Sequence, residues 1–178
     1  MKRAGAFAVL ALVALGCIGC DKTAAVETAL GVVGNVITLA QDDLPALQVA
    51  GVLTAGDVIA AGNWLSGAST INGQGETCVN MAGGTGTKIV ACLNAIGTGL
   101  LSPAEQANLR IISQGAQKKV TLYVTAVVLA VNFTASIVKA TQITPPAVGA
   151  APTAGAQPTR DDLHEIATRL HLSPAYGF

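Results

Sequence analysis

The sequence predicts an all-α fold, a small bundle of about four or five helices, and three observations carry that prediction. Apolar residues recur at three- and four-residue steps along much of the chain. Two helix-start signatures, Thr54-Ala55-Gly56-Asp57 and Ser102-Pro103-Ala104-Glu105, punctuate it. The 178 residues are 51% hydrophobic but only 11% charged and 3% aromatic, against about 25% charged in typical soluble domains. Ten Lys plus Arg balance ten Asp plus Glu, which excludes a polybasic nucleic-acid binder and leaves few ionisable groups to build a polar active site.

The chain opens with Lys2 and Arg3 and continues as an apolar, small-residue run from Ala4 to Gly19. This is the layout of an export signal, too short to be a comfortable transmembrane helix. It ends in Gly16-Cys17-Ile18-Gly19-Cys20, with Asp21 and Lys22 directly after. That ending resembles the lipobox of bacterial lipoproteins, in which a small residue precedes a Cys that is acylated before cleavage. The resemblance covers the signal alone, and position minus three departs from it, being Cys17 where Leu is usual. Cys20 is favoured over Cys17 as the lipidation site because charge begins immediately after it. The resemblance implies a signal peptide over 1–19 and a bacterial envelope protein, membrane-anchored and facing the periplasm or the cell surface. Several acyl chains would hold it on a membrane where a single myristoyl chain binds only marginally. Asp21 is weakly associated with inner-membrane retention in enterobacteria.

Removing 1–19 takes away two of the ten cations and leaves a slightly acidic mature chain. One domain over 20–142, of about 120 residues, follows, enough for a modest core. Export also sorts the four cysteines. With Cys17 lost and Cys20 acylated, Cys78 and Cys92 remain as a pair in an oxidising compartment, where a disulfide is expected. Neither a metal site nor a redox motif suits their spacing, with no nearby His and no Cys-x-x-Cys.

Taken in order, the mature elements begin with an amphipathic helix over 23–41, with Val26, Leu30, Val33, Ile37 and Ala40 on one face. Asp42-Asp43-Leu44-Pro45 is expected to break it and to open a second helix with Pro45 in the first turn; the two carboxylates read as solvated capping residues. The box at Thr54 and Asp57 opens a third helix over 55–65, which contains the only Trp, Trp64. The Gly-, Ser-, Thr- and Asn-rich stretch 66–88 reads as a loop tied down by Cys78. A helix over 89–100 follows, and from Pro103 the helical pattern runs to about Ala140 with a bend or break at Gly115. Gly51-Val52-Leu53-Thr54-x-x-Asp57 and Gly99-Leu100-Leu101-Ser102-x-x-Glu105 share one helix-entry device without a demonstrable duplication.

Residues 120–138 form nineteen consecutive uncharged positions, which at about 1.5 Å each approach the thickness of a bilayer core. Thr121, Thr125, Asn132, Ser136 and Lys139 fall on one face of that helix. Such a stripe favours a bundle helix with one wet edge, and it also suits a membrane helix packed on partners. Pro145, Pro146, Pro152 and Pro158 mark 143–159 as a disordered linker. A short amphipathic helix over 161–172, within the segment 160–178, then presents Leu163, Ile166 and Leu170, either to a protein partner or back to the bundle. The tail from 143 onward is expected to be dispensable for folding.

Motifs for chemistry do not assemble. Gly83-Gly84-Thr85-Gly86-Thr87-Lys88 lacks phosphate-loop spacing, because Thr87 separates Gly86 from Lys88 and Ile89 follows. His164 and His171, the only histidines, would stand about 10 Å apart along a helix, too far to share one zinc. No Gly-x-Ser-x-Gly elbow exists. The sequence therefore points to a non-catalytic, lipid-anchored envelope protein with a structural or binding role, with no cofactor, metal or nucleic acid. A membrane-active protein of a phage or competition system, inserting 120–138, is the alternative.

Overall fold

The computed structural model describes residues 22–83 and 85–149. These form five helices and no strand: α1 (Lys22–Val49), α2 (Ala55–Met81), α3 (Gly86–Leu100), α4 (Pro103–Arg110) and α5 (Gln117–Ile137). The expected all-α bundle is thus the observed fold.

Four of the helices run up, down, up and down, with the short α4 capping one end. Three sets of contacts fix that order. Asn72 on α2 donates from Nδ2 to the Leu30 carbonyl of α1 at 3.2 Å, so the end of α2 lies beside the start of α1. Tyr123 near the start of α5 donates its hydroxyl to Asp43 near the end of α1. On α2 and α3, Cys78 meets Cys92, Gly75 faces Ile96 and Ile71 faces Gly99, a constant antiparallel register. One end of the bundle therefore holds Lys22 and Met81, and the other holds Val49, Thr54 and Ser113. The 28 residues of α1 separate these ends by about 42 Å.

Helix α1 does not break at Pro45, contrary to the expectation of two helices. Proline inside a helix costs about 3 kcal/mol through one lost hydrogen bond and a ring clash. Here Leu44 is buried against α2 beside Gly62, and Asp43 is held by Tyr123. Burial of a leucine of this kind contributes about 1.5 to 3 kcal/mol, which with the neighbouring contacts offsets the proline. Asp42 and Asp43 consequently lie inside α1 and cap nothing.

The second correction is larger. Residues 66–81, expected to be loop, continue α2 without interruption. Leu65, Ala68, Asn72, Gly75 and Val79 are all buried, at steps of three and four. The small residues are there because neighbouring helices come close: a Cβ on Gly75 would collide with the Ile96 side chain. Thr70 and Thr77 return their hydroxyls to the carbonyls of Ser66 and Gly73, so the polar residues are satisfied within the helix instead of pulling it apart.

The interruption expected near Gly115 is a full break between α4 and α5, spanning 111–116. Its cause is Asp57, which takes the Ser113 N–H that a continuing helix would use. Helix α5 then runs through the middle of the packing, with Val120, Val124, Val127, Val128, Val131 and Ala135 buried. Both α1 and α5 are long and apolar enough to cross a membrane by length and composition, and in the bundle that apolar surface supplies the core.

Beyond α5 the chain reverses at Lys139, which has φ of 59°. Residues 141–149 have no regular secondary structure, yet they form a strap across the bundle. Thr141 N–H donates to Asn94 Oδ1 at 3.1 Å, Ile143 packs on Gly97, Val148 is buried, and Gly149 N–H donates to the Leu109 carbonyl at 2.8 Å. The stretch 143–149, assigned by composition to a free linker, is part of the packed domain. The remainder of the 143–159 linker, the 160–178 tail and the 1–19 signal lie outside the described residues.

Candidate functional site

Of the residues singled out from sequence, Cys20, Leu163, Ile166 and Leu170 lie outside the described residues, as do both histidines. Cys78 and Cys92 are brought together as expected, with Cα atoms 5.7 Å apart in a disulfide. It staples the end of α2 to the second turn of α3, at the end of the bundle where Lys22 begins α1. Lys88 sits exposed in the first turn of α3, and Gly83, at φ of 58°, lies in the reversal from α2. Among the described residues no group of three or more His, Cys, Asp or Glu is placed to hold a metal.

The main polar constellation is at the opposite end. Asp57 is buried to 2% exposure at the start of α2. Its carboxylate accepts from Thr54 N–H at 2.9 Å and Thr54 Oγ1 at 2.7 Å. It also accepts from Ser113 N–H at 2.7 Å and Ser113 Oγ at 2.8 Å. Thr54 in turn accepts from Asp57 N–H, completing a reciprocal capping box. Burial pushes the Asp57 carboxyl up, but the four donated hydrogen bonds from Ser113 and Thr54 outweigh it and hold the group below the usual carboxylate range. With three bonds on Oδ2 and one on Oδ1, the carboxylate clasps the two connections together. Sequence reasoning found its capping role and missed Ser113, which lies 56 residues away.

Glu105, the equivalent residue of the second helix entry, behaves differently. Its backbone N–H donates to Ser102 Oγ at 3.3 Å, capping α4, but its carboxylate lies against Gly67 of α2, where a Cβ would collide with it. Burial raises its carboxyl above the ordinary range, partly countered by a hydrogen bond from Asn108.

Three exposed apolar side chains lie at the Asp57 end of the bundle among polar ones. Val49 is 91% exposed, Ile111 72% and Val52 37%. Val52 lies two residues before Thr54, and Ile111 two before Ser113, so the carboxylate that binds both partners holds these side chains at one end of the bundle. The chain leaves the described domain at this same end, at Gly149 beside Leu109. No protein-family model matches the chain, and no curated protein or solved structure does either.

Proposed function

We propose that the chain is an exported, lipid-anchored and non-catalytic envelope protein whose bundle works as a spacer between a membrane tether and a binding surface. The observation that carries this reading is the placement of the chain's two exits. Lys22, two residues after Cys20, starts α1 at one end, and Gly149 leads into the C-terminal tail from the other, about 40 Å away. A lipid on Cys20 would put the disulfide-stapled end next to the membrane and the Val49, Val52 and Ile111 end away from it. The export-type N-terminus and the Cys78–Cys92 disulfide support an oxidising compartment. Metabolic palmitate labelling tests the anchor: Cys20→Ala should abolish it, and Cys17→Ala should leave it intact. Label retained in Cys20→Ala but lost in Cys17→Ala would move the anchor to Cys17.

A membrane-active role has one observation in its favour, the length and apolar character of α5. Insertion of α5 would have to break the Tyr123 bond to Asp43 and the paired bonds of Asn132 to the strap. Protection of 120–138 from protease in vesicles would establish insertion, and cleavage there at the rate of the detergent-solubilised protein would reject it.

A further inference from the structure

We propose that the C-terminal segment 161–172 of this same chain docks on the Asp57 end of the bundle, over the exposed side chains of Val49, Val52 and Ile111. The chain leaves the described domain already at that end: Gly149 is buried and bonded to the Leu109 carbonyl, two residues from Ile111. Residues 150–160 can extend about 36 Å from there, ample to lay the next residues over Ile111 and Val52. The segment carries Leu163, Ile166 and Leu170 at helical spacing, and at twelve residues it is too short to hold a helix alone, since isolated helices below about 12 to 15 residues are marginal. Its folding therefore requires an apolar surface.

Reach and apolar content select this occupant, and charge is neutral to the choice. Arg110, Lys118 and Lys119 stand on α4 and the first turn of α5, beside the exit at Gly149, and are matched at this end by Asp42 and Asp43 on α1 and Asp57 at the start of α2. The segment is mixed as well, bringing Asp161, Asp162 and Glu165 together with Arg169. A connection of this length gives an effective concentration in the mM range, so docking within the chain prevails over a dilute partner in solution. Any partner that uses this end must displace the segment. The inference does not depend on the lipid anchor.

Hydrogen exchange read by mass spectrometry on the full mature chain tests it. Amides over 163–171 should exchange at least about tenfold more slowly than in the same segment as a free peptide, without dependence on protein concentration. Ile111→Ser and Leu170→Ser should each remove that protection while α2 stays protected, which shows the bundle still folded. Met81→Ser, at the exposed opposite end, should leave it unchanged. Exchange at the free-peptide rate in the mature chain overturns the proposal. So does protection lost on dilution, which would make the occupant a second copy, or protection insensitive to Ile111→Ser, which would place the segment elsewhere.

Discussion

Ser113 gives both its backbone N–H and its hydroxyl to the carboxylate of Asp57, at 2.7 and 2.8 Å, across 56 residues of chain. The bond joins the α1–α2 connection to the α4–α5 connection and so fixes where two helices start. Asp57→Asn keeps the shape but turns an amide group toward donors, leaving at least one of them unmatched. A loss of roughly 2 to 3 kcal/mol is expected, since hydrogen bonds to charged groups contribute about that much. Because the folded carboxyl is held below its usual range, its stabilisation is present above the unfolded-state titration and is lost as pH falls through the folded one. Denaturant midpoints measured from neutral to strongly acidic pH should converge for wild type and Asp57→Asn.

Glu105 has the opposite sign. Its carboxyl is raised by burial against α2, so the charged form is the less stable one in the fold. The penalty is absent below the unfolded-state titration and grows as pH rises through the folded one. Glu105→Gln should therefore stabilise the protein at neutral pH, by about 1 kcal/mol as expected for removing a poorly partnered charge, and should change little in acid. A variant less stable than wild type at neutral pH would mean that the carboxylate has a partner at Oε2.

The general architecture was legible because it rests on local rules: the caps at Thr54 and Ser102 and the apolar periodicity of α1, α3 and α5 all reappear. The end of α2 was misread because glycine and asparagine are turn residues in isolation. There they serve close helix approach, and the signal that identifies them is the step pattern of Leu65, Ala68, Asn72, Gly75 and Val79. Pro45 likewise misled because its local cost is overcome by packing from α2 and α5. Of the candidate site, the disulfide could be read from the export signal. The Asp57–Ser113 contact and the strap could not, since both depend on tertiary proximity that no spacing encodes.

The disulfide closes a short loop, for which chain entropy gives about 3 kcal/mol. A double Cys78→Ala, Cys92→Ala variant is expected to lose about 2 to 4 kcal/mol, a large share of the ~5 to 15 kcal/mol normal for a domain. Mass spectrometry of the unreduced exported protein should find no free thiol at either position. Two alkylatable thiols would remove the staple.

Helices α1 and α5 end in the same way with different residues. Val52 N–H reaches the Leu47 carbonyl around Gly51, and Ala140 N–H reaches the Ala135 carbonyl around Lys139. Both central residues are left-handed, with φ of 70° and 59°. Only glycine adopts this without steric cost, about 1 to 2 kcal/mol for other residues. Lys139→Gly relieves that cost but adds freedom to the unfolded chain, worth about 0.4 to 1 kcal/mol. The net expectation is a gain of about 0.5 to 1 kcal/mol in denaturant unfolding, whereas Gly51→Lys should lose stability by at least as much.

Asn132 sits where the polar stripe of α5 suggested a wet edge, but its side chain is spent on the strap. Its Nδ2 donates to the Ile143 carbonyl and its Oδ1 accepts from Ile143 N–H, both at 2.8 Å. Asn132→Ala leaves both backbone groups of Ile143 unmatched in a half-buried site, a cost of about 1 to 3 kcal/mol, and it should speed proteolytic cleavage within 141–149. Two truncations separate strap from tail. Ending the chain after Gly149 retains Val148, which is 3% exposed, and should lower the melting temperature only by what docking of 161–172 contributes, about a few degrees. Ending it after Gln142 removes the burial of Val148 and Ile143, each worth up to about 1.5 to 3 kcal/mol, and should lower the melting temperature by several degrees. Equal melting temperatures for the two truncations would show that the strap adds nothing to the fold and that the packed domain ends with α5.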